Sequence, residues 1–274
     1  MDLKRTIDPT TIDFKKMFLL DDQVVIITGG MGLIGRAFVE ICAQYNAQVV
    51  IIDIPRTNPE GFAKKLSARF KRKMIGISMD VSNREDVENA LKITINELGK
   101  VTDLVNCHQN KTARFFANFE DYTDKDWTAI IETNLNGTFL TCQIFGGWMA
   151  DNGGGNIVNI PSTYSVVAPN QNLYKGTNMG SPAAYGASKG GVMAFSNYLA
   201  TYWAEKGIRV NQITPHGVWN NHEKEFEDNF RNFLPMQRMS YNYEVAGALL
   251  YLLSDASSFV TGHNLIIDGG WTTW

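Results

Sequence analysis

Tyr185 and Lys189 stand four residues apart in Tyr185-Gly186-Ala187-Ser188-Lys189, a spacing that puts both side chains on one face of a helix. A tyrosine with its ordinary pKa of about 10 is a poor acid or base catalyst near neutrality. An ammonium alongside stabilises the phenolate and lowers that value, so such a pair can move a proton. By itself the pattern equally describes an ordinary helix with a partly buried tyrosine and a solvated lysine. A second feature lies far upstream, where the apolar run Val24-Val25-Ile26-Ile27 feeds the turn Thr28-Gly29-Gly30-Met31-Gly32-Leu33-Ile34-Gly35. Gly30-x-Gly32-x-x-Gly35 between a strand and a helix lets the backbone approach a pyrophosphate, and the helix N-terminus offers it unpaired N–H groups. The same glycines also suit a tight turn with no ligand. A proton-transfer pair and a dinucleotide cradle in one chain point to hydride transfer.

Other residues fall where that chemistry needs them. Asp53 ends the next apolar run, near the roughly 20-residue offset of a carboxylate that binds the adenosine ribose. Ionised, it would accept from the ribose hydroxyls and repel a 2′-phosphate, which favours NAD over NADP. Arg36 and Arg56 are the residues able to welcome a phosphate, and a turn or helix-cap aspartate is the plainer reading of Asp53. Asp80, before Val81, either meets an adenine edge or caps the following helix. Ser162 follows Ile157-Val158-Asn159-Ile160, at the carboxyl edge of a strand, where a hydroxyl can hold a substrate oxygen or cap a turn.

The elements that must position these residues are legible from apolar runs and breakers. Strands are expected over 24–28, 48–53, 74–79, 101–106, 156–160, 208–213 and 265–267. Helices are expected over 33–45, 59–70, 124–149, 182–205 and 244–253, and another to Leu98 opened by a capping box of Ser82 and Glu85. Strands apolar on both faces that alternate with helices predict a doubly wound parallel sheet covered on each side, a Rossmann-type α/β fold. With 274 residues, 44% of them hydrophobic, and no linker-like run, the chain reads as one domain over 21–274 behind an N-terminal extension, 1–20. A net charge of −3 gives no pull toward a polyanion, and Lys64, Lys65, Arg69, Lys71, Arg72 and Lys73 read as a solvated helix face, so nucleic acid is not expected. No apolar run nears the ~18 residues of a membrane span, and residues 1–16 lack a signal-peptide pattern. Cys42, Cys107 and Cys142 read as free thiols in a reducing cytoplasm, and four scattered histidines form no metal motif.

From about residue 20 onward the chain resembles the classical short-chain dehydrogenases/reductases. The likeness rests on the glycine turn, Asp53, Asp80-Val81, Asn106, Asn134-Leu135-x-Gly137, Ile160-Pro161-Ser162, the Tyr185 segment, Val210-Asn211-x-Ile213-x-Pro215, Val260-Thr261-Gly262 and Asp268-Gly269-Gly270. It implies Tyr185 as general acid/base, Lys189 lowering its pKa and holding the nicotinamide ribose, Ser162 orienting the reacting oxygen, and Asn134 holding a water in a proton relay through Lys189. It implies a cofactor surface of Gly29, Gly32, Leu33, Ile34, Gly35, Asp53, Asp80, Val81, Asn106, Pro215, Gly217 and Val218, together with Tyr185 and Lys189. A mobile substrate lid around 218–241, and a homodimer or homotetramer formed through the two longest helices, are further implications.

Three departures stand out. Leu33 replaces the usual middle glycine, His108 follows Asn106-Cys107 where glycine is usual, and His216 splits Pro215 from Gly217. The two histidines are expected to approach one another near the active site. The connection from Ser162 to Tyr185 is long and carries Tyr164, Asn170, Gln171, Asn172, Tyr174, Lys175 and Asn178, side chains suited to a hydroxyl-rich or phosphorylated ligand. This insert, Trp219 and the tail after Gly270 resemble oxidoreductases of flagellin and surface-sugar modification. His108, Tyr164, Tyr174, His216 and Trp219 are therefore the expected substrate residues, and a sugar or nucleotide-sugar the expected substrate. The alternatives are an epimerase or dehydratase that retains its NAD, and a noncatalytic NAD-binding regulator.

Overall fold

The computed structural model describes residues 9–273. Seven parallel strands form one sheet in the order β3-β2-β1-β4-β5-β6-β7. They are β1 (Val24–Thr28), β2 (Gln48–Asp53), β3 (Ile75–Ser78), β4 (Asp103–Asn106), β5 (Gly155–Asn159), β6 (Ile208–Pro215) and β7 (Asn264–Ile267). The order reverses between β1 and β4, where a doubly wound sheet opens a crevice at its carboxyl edge.

Each strand serves two cores at once, because alternate side chains point to opposite faces. Val25, Ile27, Val49, Ile51, Val105 and Val158 face a layer built from α1 (Leu33–Gln44), α2 (Pro59–Phe70) and α9 (Asn242–Leu253), with Phe38 and Leu249 fully buried. Val24, Ile26, Val50, Ile52, Leu104 and Ile157 face α3 (Arg84–Leu98), a long helical rod and α7 (Ala183–Tyr202), with Phe145 and Met149 fully buried. Burying each such large side chain contributes about 1.5–3 kcal/mol. The expected α/β fold, helices on both faces, is the fold observed.

Local details differ from expectation. The helix expected over 124–149 is a rod that keeps helical dihedrals but changes pitch twice. Its α segments α4 (Asp124–Ile131), α5 (Gly137–Thr141) and α6 (Gly147–Asp151) alternate with π turns Glu132–Asn136 and Cys142–Gly146. The cap of α3 is Asn83, whose side chain accepts from the N–H groups of Glu85 and Asp86, and not Ser82. Ser82 instead donates its hydroxyl to Asp80 at 2.6 Å, the nearer bond for so short a side chain. A helix unforeseen in the sequence, α8 (Lys224–Phe233), occupies the expected lid. Of the expected N-terminal extension, residues 1–8 lie outside the described residues. Its last residue, Leu20, is wholly buried, with its N–H bonded to Tyr45 O at 2.7 Å, so the packed core reaches back to it.

Candidate active site

The site sits where β1, β4, β5 and β6 end. Tyr185 and Lys189 come from successive turns of α7, which packs along β6 and the loop after β5. Lys189 is buried and its Nζ donates to Ile160 O at 2.7 Å, while lying 5.8 Å from the centroid of the Tyr185 ring. Burial pushes the Lys189 ammonium down to about 8. Ser162 caps the short turn Thr163–Ser165, accepting from Tyr164 N at 3.3 Å, and its hydroxyl lies close enough to the Tyr185 phenol to favour the phenolate. Burial nevertheless pushes that phenol up to about 12, against the pull of Ser162. Desolvation of the phenolate is the larger effect here, and the ammonium is turned toward a backbone carbonyl.

Asn134 is fully buried in the first π turn of the rod. Its Oδ1 accepts from Asn110 N at 2.8 Å and its Nδ2 donates to Ser188 Oγ at 3.1 Å. Ser188 in turn donates to Tyr185 O at 2.8 Å, so Asn134 reaches the tyrosine's turn through Ser188 and makes no direct bond to Lys189. π turns insert a residue into the helix and recur at functional sites, and this one brings Asn134 to face α7.

The glycine turn is tight. Gly29 has φ +67°, and a Cβ there would lie 2.7 Å from His108 Cα. A Cβ on Gly35 would lie 2.1 Å from Gly29 O, so α1 can close on the turn only with glycine here. A Cβ on Gly32 would meet only Gly29 O at 3.2 Å, and the first turn of α1 carries no capping side chain and no acid. Asp53 ends β2 beside this turn, accepting from Met31 N at 2.9 Å and from Ile54 N at 2.8 Å. An open helix N-terminus flanked by one carboxylate fits a dinucleotide.

A family model described as Enoyl-(Acyl carrier protein) reductase matches residues 32–272. Two relatives are similar over nearly their whole lengths. The NAD-dependent glycerol dehydrogenase of Listeria innocua is 32% identical over 94% of this chain and 97% of its own, and the D-threitol dehydrogenase of Mycolicibacterium smegmatis is 33% identical over 96% of each. The chain belongs to the short-chain dehydrogenase/reductase family. It is a nicotinamide-dependent oxidoreductase acting on CH–OH groups. The post-translational flagellin modification protein A of Campylobacter coli is also similar, 26% identical over 92% of this chain and 99% of its own. Among solved structures, a short-chain dehydrogenase of Leptospira borgpetersenii with bound NAD+ is 32% identical with a TM-score of 0.83, covering 95% of this chain and 96% of its own. A gluconate 5-dehydrogenase of Burkholderia cenocepacia in complex with NADP and tartrate is 27% identical with a TM-score of 0.86, covering 94% and 98%.

Within this dehydrogenase/reductase the remaining expected residues separate into two groups. Tyr164 and Tyr174 come to the site. The Tyr164 ring stands edge-on to Tyr185 with centroids 6.3 Å apart, and the Tyr164 and Tyr174 hydroxyls are 2.5 Å apart. Other side chains turn away. The Asn106 amide donates to Asn159 Oδ1 at 2.9 Å and its oxygen accepts from Thr141 at 2.8 Å, a buried network beneath the cradle. Asp80 Oδ1 accepts from Ser82 N at 2.9 Å, a local turn ahead of the Asn83 cap. Val81 is buried against Gly137. Leu33 opens α1 with its side chain exposed, and Ile34 packs toward the core. Pro215 pairs with Ile267, Gly217 abuts the Phe230 ring, and Val218 bridges Ser240. Trp219 is exposed on the lid and donates to Glu227 at 2.7 Å.

The two histidines do not meet. His108 is buried between Thr28 Oγ1 (2.7 Å) and Thr138 Oγ1 (3.3 Å), and burial lowers its pKa to about 3. It fills the layer behind the cradle, with both ring nitrogens beside threonine hydroxyls. His216 shares a hydrogen bond with Thr163 Oγ1 at 2.7 Å and lies between the rings of Phe230 (4.6 Å) and Trp271 (4.5 Å), with a buried Nε2 that has no partner among the described residues. Spacing in the sequence gives no sign of Asn110, Phe115 or Lys111. Ser188 lay inside the Tyr185 segment, yet nothing in that segment shows which neighbour a serine hydroxyl will bond.

Proposed function

We propose that the chain is an NAD-dependent dehydrogenase that interconverts a secondary alcohol and a ketone on a polyol or sugar derivative. The observation that carries this reading is the Tyr185 phenol beside the Ser162 hydroxyl with Lys189 buried one turn away. When bound, nicotinamide supplies the hydride acceptor or donor and, oxidised, a positive charge. Gly29, Gly32, Leu33, Ile34 and Gly35 would hold its pyrophosphate, and Asp53 the adenosine ribose, which favours NAD. Asp80, Val81, Asn106, Pro215, Gly217 and Val218 complete the expected binding surface, with Asn106 contributing backbone because its amide is committed internally.

In oxidation Tyr185, as phenolate, takes the alcohol proton while Ser162 holds the same oxygen. In reduction the phenol returns the proton. Lys189 contributes charge and fixes α7 against Ile160 O. Asn134 positions the Tyr185 turn through Ser188. The names of the glycerol and threitol dehydrogenases favour hydroxyl-rich substrates, and Tyr164 and Tyr174 beside Tyr185 suit them. Tyr185→Phe removes the one group able to exchange that proton, so kcat with D-threitol should fall by about 10²–10⁴ while NAD binding by calorimetry stays near wild type. Near-normal turnover in that variant overturns the reading.

The exposed aromatic strip of Phe139, Tyr198 and Tyr202 on the rod and α7 supports pairing of two copies through these helices. Light scattering should report a dimer or tetramer, and a monomer at micromolar concentration removes this part.

A further inference from the structure

We propose that the space in front of Tyr185 takes an anionic polyhydroxy substrate, a chain of hydroxyl-bearing carbons ending in a carboxylate or phosphate, with Lys111 selecting the oxyanion. The inference rests on the function proposed above and names the substrate class for that same site.

A circuit of side chains from separate segments surrounds this space. Phe115 stands edge-on to Tyr185 with centroids 5.6 Å apart. On the other side Tyr164 is edge-on to Tyr185, and its hydroxyl meets that of Tyr174. Tyr174 lies 5.9 Å from the ring of Phe226 on α8, and Phe226 lies 5.5 Å from His222. His222 is close enough to Lys111 for the ammonium to act on it electrostatically. Lys111 Nζ lies 5.6 Å from the centroid of Phe115, which closes the circuit. Ring faces and two phenol hydroxyls suit C–H and O–H groups of a polyol. The insert and the lid are tied together where they meet, because Asn229 donates to Leu173 O at 3.2 Å and to Lys175 O at 2.8 Å. The chamber is thus shaped by this chain's own insert.

Lys111 is the one permanent charge in the circuit. It enters no ion pair among the described residues. The residue is solvent-exposed, yet enough protein surrounds its ammonium to hold the pKa below the usual lysine value, and no carboxylate offsets that. Glu227 on the lid, which acts on His222, accepts from Trp219 Nε1. A cation partly stripped of water, without a counter-charge and separated from the reacting phenol by the Phe115 ring, is satisfied by an anionic group that arrives with the substrate.

The test compares D-threitol, D-gluconate and D-sorbitol 6-phosphate as substrates with NAD, in wild type, Lys111→Met and Lys111→Arg. For at least one anionic substrate, wild-type kcat/KM should exceed that for D-threitol by about tenfold, the scale of one charge-assisted contact. Lys111→Met should lose that ratio chiefly through KM, and Lys111→Arg should keep it. The gluconate and phosphate arms tell which oxyanion is taken. Equal or better use of D-threitol by wild type overturns the proposal while leaving the dehydrogenase reading in place, and so does a ratio unchanged in Lys111→Met. If no substrate turns over, the polyol reading fails, and the anion site is judged by melting temperature at saturating NAD. A rise with D-gluconate or D-sorbitol 6-phosphate that is lost in Lys111→Met supports it, and no rise overturns it.

Discussion

Asp53 shows how one side chain serves two ends. Its carboxylate ties the end of β2 to the glycine turn through Met31 N, and in the proposed NAD site it would stand against a 2′-phosphate. Arg36 and Arg56, the residues that could attract a phosphate, are both solvent-exposed, where water and salt weaken their pull. Asp53→Ser should therefore raise the ratio of kcat/KM for NADP over NAD by about tenfold or more, because a hydroxyl neither repels phosphate nor accepts strongly from ribose. Steady-state rates with the two cofactors measure this. An unchanged ratio would return Asp53 to a turn-capping role. Tyr185 carries a related lesson. Spacing names the partner of a phenol, but burial decides its pKa, and here burial moves tyrosine and lysine in opposite directions.

At the scale of elements, the turn between β1 and α1 makes unequal demands on its glycines. A methyl on Gly35 would meet Gly29 O at 2.1 Å, whereas one on Gly32 would meet that oxygen at 3.2 Å and nothing else. Gly35→Ala must push α1 away from the sheet, at a cost of about 1–3 kcal/mol. It should lower the melting temperature and weaken cofactor binding together. Gly32→Ala should leave the melting temperature near wild type, since only small adjustment is needed. Equal melting temperatures for the two variants would contradict this account. The rod of α4, α5 and α6 makes a similar point. A regular α-helix is what periodicity predicts, and two π turns are what the contact of Asn134 with Ser188 accompanies.

For the molecule as a whole, buried titratable groups set an acid limit. Burial lowers His108 to about 3 and His216 to about 4, so from pH 6.5 down to about 4 the unfolded chain takes up two protons that the folded chain refuses. Stability falls as pH falls through that window. Asp103, pushed up to about 6 by burial, acts in the opposite sense, since the folded chain protonates it first between pH 6 and 3.8. Two protons against one leave a net loss of about 1.4 kcal/mol per pH unit between pH 6 and 4. Denaturant unfolding at pH 7 and 5 should show the loss. His216→Phe, which can still stack between Phe230 and Trp271, should make it shallower. Stability unchanged from pH 6.5 to 4.5 would mean these histidines are not held neutral.

The sequence by itself determined the sheet, the cradle and the proton-transfer pair. Each is written in local pattern: unbroken apolar runs along β1 and β2, glycines where Cβ atoms cannot fit, and a tyrosine and lysine one helical turn apart. The fate of His108 and His216, the link from Asn134 through Ser188, the docking of α8 and the placing of Lys111 over Phe115 were decided only by the tertiary structure. Those contacts join residues distant in the chain, and their energies come from desolvation and packing, which exist only once separate segments have closed on one another.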